Sequence, residues 1–278
     1  MRHAARNALL TAAYLHPAAL RKAAGGGGIG EMRRYLGEMY RCSKTDAGLH
    51  LPVLRPEDVV AGDATFTVTR PSDTDGSMTL TEIASICQLV AALQPRKIVE
   101  IGSFQGLTTV NLARNAPQAQ VHTVDLPPRT LASETRYANN DALIIERRNG
   151  YVYAGTEVAD RIVQHYGDTA TFDFAGEIGG DVDLCLIDAA HSYEYVRSDT
   201  ARTLPLLRDG SVLLWHDYGR NDFLAEPADA WGVSKLLHEL RTVGVAVLQG
   251  TSLGVLRVTP ARRQALQQLL GSEAPDPG

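Results

Sequence analysis

From about residue 78 to residue 258, short apolar runs alternate with stretches of helical spacing. Thr79 to Leu93 (T-L-T-E-I-A-S-I-C-Q-L-V-A-A-L) repeats apolar residues every three to four positions, and Thr79 with Glu82 forms a capping box. Lys97 to Ile101 follows as a short β-branched run and predicts a buried parallel strand. Leu107 to Arg114 returns to helical spacing. The same alternation predicts strands over Gln120–Asp125, Arg161–Tyr166, Asp183–Ile187, Ser211–Trp215, Val245–Leu248 and Val255–Val258, and helices over Tyr193–Leu207, Ala230–Val243 and from Pro260. Thr130 to Asp160 stays ambiguous, with room for one or two helices.

This is the signature of an α/β domain: a doubly wound sheet of about seven strands, mostly parallel. The last strand lies one tight connection from its neighbour and is expected to be antiparallel. In such a sheet ligands bind at the carboxyl ends of the strands. That edge would gather Gly102, Asp125, Asp168, Asp188, His191, His216 and Asp217.

The chain before this repeat reads differently. Met1 to Lys22 is alanine-rich, Gly25 to Gly28 is a four-glycine break, and Glu31 to Arg41 is again helical in spacing. Thr65 to Thr69 is β-like. Residues 1–77 are expected to be an appendage that caps the site, makes a homo-oligomer contact, or both; 78–271 form the α/β domain; 272–278 form a disordered tail.

Composition narrows the partners. The 278 residues are 44% hydrophobic with a net charge of −5, which argues against nucleic-acid and anionic-membrane surfaces. The three cysteines show no metal spacing, and Cys87 and Cys185 lie in apolar runs as core thiols, so the cytoplasm is the expected location. Asn7 to Leu15 is too short and too polar in its flanks for a signal peptide, and no run is long enough to span a bilayer.

Chemistry concentrates after the first strand of the repeat. Gly102 and Gly106 open a strand–turn–helix unit that can bring backbone N–H groups against a ligand. The spacing is G-x-x-x-G, not the dinucleotide G-x-G-x-x-G, and Glu100 precedes it, which suits a ligand with a positive end. Asp125 ends the next strand, 125 − 100 = 25 residues on, where an acid can bond both hydroxyls of a ribose. A plain structural turn and a solvated loop acid are the competing readings.

V-E-I-G-S-F-Q-G, V-D-L, G-D-T-A-T-F-D-F, D-L-C-L-I-D-A-A-H-S-Y-E-Y-V-R-S-D and W-H-D-Y-G occur in that order. Together they resemble the class I S-adenosylmethionine-dependent methyltransferases, and within them methyltransferase family 24, which includes macrolide-sugar O-methyltransferases. The resemblance spans about Met78 to Val258. It implies a Rossmann-like sheet and a donor site built from Glu100, Gly102, Ser103, Gly106, Asp125, Asp168 near the adenine, and Asp188. It also implies that Asp188-x-x-His191 supplies a metal-binding acid and a catalytic histidine. His191 is then the general base, with Asp188 and Asp217 beside it; a helix-capping histidine is the bland reading.

Where metal-dependent members carry two acids, this chain has His216-Asp217. Asp188, His216 and Asp217 would hold Mg²⁺ with waters or a softer divalent ion, and a metal-free site built on His191 is the alternative. The expected acceptor is a small hydroxylated molecule such as a sugar or glycoside, with Gly219 to Asp229 as a lid over it. Trp215 and Trp231 read as packing, and Tyr193, Tyr195 and Tyr218 as packing or acceptor contacts. A donor-binding protein without turnover and a nicotinamide oxidoreductase are the competing functions.

Overall fold

The computed structural model describes residues 51–62, 64–69, 77–128, 134–136, 152–219 and 232–271. The expected N-terminal helices and glycine break, the lid at 219–229 beyond Gly219, Trp231 and the tail at 272–278 lie outside them. Within them the elements run β1 (Val53–Leu54), α1 (Pro56–Val59), α2 (Leu80–Leu93), β2 (Lys97–Ile101), α3 (Leu107–Asn115), β3 (Gln120–Asp125), β4 (Ile162–Tyr166), α4 (Phe174–Glu177), β5 (Val182–Ile187), α5 (Tyr193–Thr203), β6 (Leu207–Trp215), α6 (Gly232–Glu239), β7 (Ala246–Leu248), β8 (Gly254–Arg257) and α7 (Pro260–Leu270).

The eight strands form one sheet in the order β1-β7-β8-β6-β5-β2-β3-β4. All neighbours are parallel except β8, which is antiparallel to both β6 and β7. The doubly wound, mostly parallel expectation holds, as does the antiparallel last strand. The sheet has one strand more than expected. Val53 and Leu54 pair with Val247 and Leu248 at its edge. The chain divides into two compact units between residues 50 and 51. Two residues flanked by prolines leave too little pattern to be seen as a strand.

Period-two alternation builds both cores. Leu184 and Leu186 of β5 pack under α2 and α3 with Ile83, Ile86, Leu89 and Val110. Cys185 and Ile187 face the other way, against Val196 of α5, Leu236 and Leu237 of α6, and Leu266 of α7. Each such side chain contributes about 1.5–3 kcal/mol on burial. Trp215 and both described cysteines are buried, as expected of core residues. No helix among the described residues is long and apolar enough to cross a membrane.

The β-like run at Thr65–Thr69 pairs with no strand among the described residues. Asn111 and Asn115, one turn apart on α3, take its place in the ladder. Thr69 N donates to Asn111 Oδ1 at 2.8 Å and Thr69 O accepts from Nδ2 at 3.0 Å; Thr67 makes the same pair of bonds with Asn115 at 2.8 and 2.9 Å. Each amide thus mimics a backbone partner.

Candidate active site

The turn after β2 takes three left-handed residues, Gly102 (φ 96°), Phe104 (φ 45°) and Gly106 (φ 84°). Gly102 is required for a reason other than ligand approach: a Cβ there would lie 2.0 Å from the carbonyl oxygen of Asp188. The glycine lets the tips of β2 and β5 close on each other, and Asp188 N donates to Ile101 O at 2.8 Å across the same gap.

Asp125 holds this turn. Its Oδ2 accepts from Ser103 N at 2.9 Å and Phe104 N at 2.8 Å, and its Oδ1 from Leu126 N at 2.7 Å. A carboxylate offers about four lone-pair sites, so these three bonds leave one acceptor position open among the described residues. Burial pushes its pKa up, against these three bonds.

Glu100, Thr123 and Asp125 alternate with residues buried on the other face, so all three project to the α3 side. Glu100 is 1% exposed, buried beneath the turn rather than open to the rim. Its Oε2 accepts from Thr109 Oγ1 at 2.5 Å and Thr123 Oγ1 at 2.7 Å, while Oε1 is buried without a partner among the described residues. An orphaned acid oxygen and the acids Asp125 and Asp188 around one glycine turn fit a nucleoside that carries positive charge.

Asp168, past the tip of β4, accepts from Tyr195 OH at 3.0 and 3.1 Å and from the backbone N of Ala170 at 3.0 Å and Arg136 at 2.6 Å. Its carboxylate ties the β4 loop to α5. Of the other tyrosines, Tyr193 donates to Glu239 at 2.6 Å and Tyr218 is buried.

The tips of β5 and β6 hold the reactive groups. His191 Nε2 stands 2.6 Å from Asp217 Oδ2, with the His191 side chain 14% and the Asp217 side chain 3% exposed. Asp217 occupies the left-handed region at φ 69°, a strained conformation for a non-glycine residue. The turn that forces it is pinned where Tyr218 N donates to Ser252 O at 2.9 Å. His191 is fixed from behind by Gly232, whose N donates to His191 O at 2.5 Å. Any side chain on Gly232 would meet Tyr193 Cα and N at 2.0 Å.

His216 differs from expectation. It is not in the possible ligand cluster found among the described residues. Its Nδ1 donates to Asp188 Oδ1 at 2.8 Å and lies 3.3 Å from Asp217 Oδ1, and its Nε2 lies 3.4 Å from Glu82 Oε2, an ion-pair distance without hydrogen-bond alignment. Burial alone would lower its pKa, but Asp188, Asp217 and Glu82 outweigh burial and raise it well above the usual imidazole range. The set that converges is Asp188, His191 and Asp217, whose ligand atoms lie within 4.8 Å of one another. Two carboxylates and one imidazole fit a divalent ion, with Mn²⁺ or Zn²⁺ suited as well as Mg²⁺.

Glu82 reaches the site with no sequence signal beyond its place in the capping box. It caps α2 through Thr79 N and Oγ1, both at 2.8 Å, as expected. Its other oxygen accepts from Ser252 N at 3.0 Å and Ser252 Oγ at 2.7 Å. Burial would raise its pKa, yet His216 and these bonds hold it well below the usual carboxylate range.

Residues 99–218 match the family model described as a methyltransferase domain. Every residue from Glu100 to Asp217 named above falls inside that match; Glu82, Gly232 and Ser252 fall outside it. Three solved structures illustrate the likeness. The O-methyltransferase TomG of Streptomyces achromogenes is 22% identical, with 66% of this chain and 82% of that one covered and a TM-score of 0.47. Cofactor-bound Rv0187 from MTB is 25% identical over 66% and 83% at 0.45. A putative caffeoyl-CoA O-methyltransferase from Staphylococcus aureus is 14% identical over 64% and 83% at 0.49. At these TM-scores the likenesses say nothing about chemistry. A comparison with curated proteins gives no significant match. The strands and turns that carry the site are thus the part of the chain that matches a methyltransferase domain.

Proposed function

We propose that the protein methylates a hydroxyl on a small polar acceptor, such as a sugar or glycoside, with His191 as general base. The observation that carries this reading is the 2.6 Å contact between His191 Nε2 and Asp217 Oδ2 at the carboxyl edge of the sheet. S-adenosylmethionine, when bound, supplies a methyl group activated by its sulfonium. The residues of the chain must align donor and acceptor and relieve the hydroxyl of its proton.

Asp125 and the Gly102 turn hold the donor. Asp217 engages Nε2 of His191 and orients the ring, and the buried carboxylate stabilises the imidazolium that forms when His191 takes the acceptor proton. Asp188 is kept in place by His216.

A specific observation favours a second form of the same reaction. Asp188, His191 and Asp217 fit a divalent ion, which would lower the pKa of a bound hydroxyl. His191 is then a ligand through Nε2 rather than the base. The acceptor is expected to be chosen by the segment that includes 219–229, and residues 1–77 are assigned to a cap, a homo-oligomer contact, or both.

A mass-shift screen of hydroxylated metabolites with the methyl donor, run with added Mg²⁺ or Mn²⁺ and with a chelator, tests both forms. Methylation that survives the chelator supports the base; methylation lost with it supports the ion. Asp125→Ala is expected to weaken S-adenosylhomocysteine by about 1–3 kcal/mol through lost hydrogen bonds. No heat with that ligand in calorimetry would overturn the donor assignment. Binding without turnover on any acceptor would favour a non-catalytic donor-binding protein, and stabilisation by NAD would favour the oxidoreductase.

A further inference from the structure

Glu100 stands at the end of a one-way chain of hydrogen bonds. Tyr153 OH donates to Gln164 Oε1 at 2.5 Å, Gln164 Nε2 donates to Ser103 Oγ at 3.0 Å, and Ser103 Oγ lies 2.7 Å from Thr123 Oγ1. Thr123 gives its only proton to Glu100, so Ser103 must give its own to Thr123. Thr109 donates to the same Glu100 oxygen. The chain delivers neutral hydrogen bonds and no positive charge. The other oxygen, Oε1, is fully buried and has no partner among the described residues.

The charged and titratable groups that act on Glu100 are themselves acidic. Asp188 at the tip of β5 and Asp125 on β3 both disfavour its ionisation, and Tyr153 is the other titratable neighbour. A buried carboxylate that is half satisfied and flanked by two acids needs either a proton or a cation. Burial, which the bonds from Thr109 and Thr123 only partly offset, lifts its pKa to about 8.

We propose that Glu100 is the charge-sensing residue of the donor site: it holds a proton while the site is empty and releases it to solvent when the sulfonium donor binds, so that donor and demethylated product are told apart by charge. The inference rests on the donor reading above. Both ligands share the α-ammonium group, and only the donor carries the sulfonium. After transfer the sulfur is neutral, the carboxylate takes back a proton, and the attraction that held the donor is gone. The residue thus acts on specificity between donor and product from beneath the turn, through its charge and not through contact.

Calorimetry at pH 7 in two buffers of different ionisation enthalpy counts the protons. The wild-type protein is expected to release a larger fraction of a proton with S-adenosylmethionine than with S-adenosylhomocysteine, and Glu100→Gln is expected to show no difference between the two. The ratio of donor to product affinity is a second readout that needs no variant: it should rise with pH below 8, by up to ~10-fold per unit. Equal proton release for both ligands, or a ratio flat with pH, overturns the inference alone. Failure of both ligands to bind overturns the donor assignment and this inference with it.

Discussion

The Glu82 carboxylate stands 3.4 Å from Nε2 of His216, and both side chains are 5% exposed. One acid therefore serves two elements: it closes the first turn of α2 and it faces the buried imidazole at the tip of β6. Its hold on Ser252 adds the β7–β8 turn to the same knot.

Glu82→Ala should therefore cost more than a helix cap, which is worth about 1 kcal/mol. It leaves His216 with one carboxylate fewer and Ser252 without its acceptor. A loss of about 3 kcal/mol is expected by urea denaturation, on the scale of breaking a buried ion pair. A loss no greater than that of an ordinary cap would show that the His216 contact contributes nothing. Glu82→Gln keeps the shape and should fall between.

Gly102→Ala places a methyl against the Asp188 carbonyl and in a left-handed backbone position. About 2 kcal/mol or more of destabilisation is expected, from overpacking and φ strain together. S-adenosylhomocysteine affinity should fall as well, because the turn and Asp188 must separate. Wild-type stability and affinity in this variant would refute the close approach of β2 and β5.

Asp217→Asn preserves size but replaces the acceptor that faces His191. Turnover should fall by ~10²- to 10⁴-fold, the range for a general base that has lost its function or orientation, with S-adenosylhomocysteine affinity unchanged. His191→Ala should give a similar loss. The two losses should not add in the double variant, since the residues act as one unit; full additivity would separate their roles.

Acid should destabilise the β3–β4 edge. His122 Nδ1 meets His165 Nε2 at 3.0 Å with the rings stacked, and His122 Nε2 meets Gln120 Oε1 at 3.1 Å. Burial, then His165 and Lys97, depress His122 to about 4, and burial depresses His165 against the pull of Glu177. The fold thus favours the neutral rings. Their contribution is complete above pH 6.5 and is lost as pH falls toward 4. Urea midpoints at several pH values should drop across that window more steeply in the wild type than in His122→Asn; parallel curves would dismiss the pair as a source of acid sensitivity.

Much of this molecule follows from local sequence. The strand runs, the Thr79–Glu82 box, Pro260 at a helix start and the G-x-x-x-G turn are short-range patterns, and backbone sterics and hydrogen-bond periodicity turn them into β2 to β8 with α2, α3, α5 and α7. The parallel order of the central strands then brings Asp125, Asp188, His191 and Asp217 to one edge without any knowledge of side-chain packing. What each of them touches was decided only in three dimensions. His191 replaced His216 in the metal-capable set because the turn at Asp217 aims its carboxylate at one ring while Asp188 captures the other, across 28 residues of sequence. Glu82 reached the site through a contact with Ser252 across 170 residues. Glu100 was legible as an acid beside a glycine turn, but its burial under that turn depends on hydroxyls from two other elements. Periodicity assigns a residue to a face; only the assembled faces determine which charges meet, because electrostatic pairing depends on distance in space and not on separation along the chain.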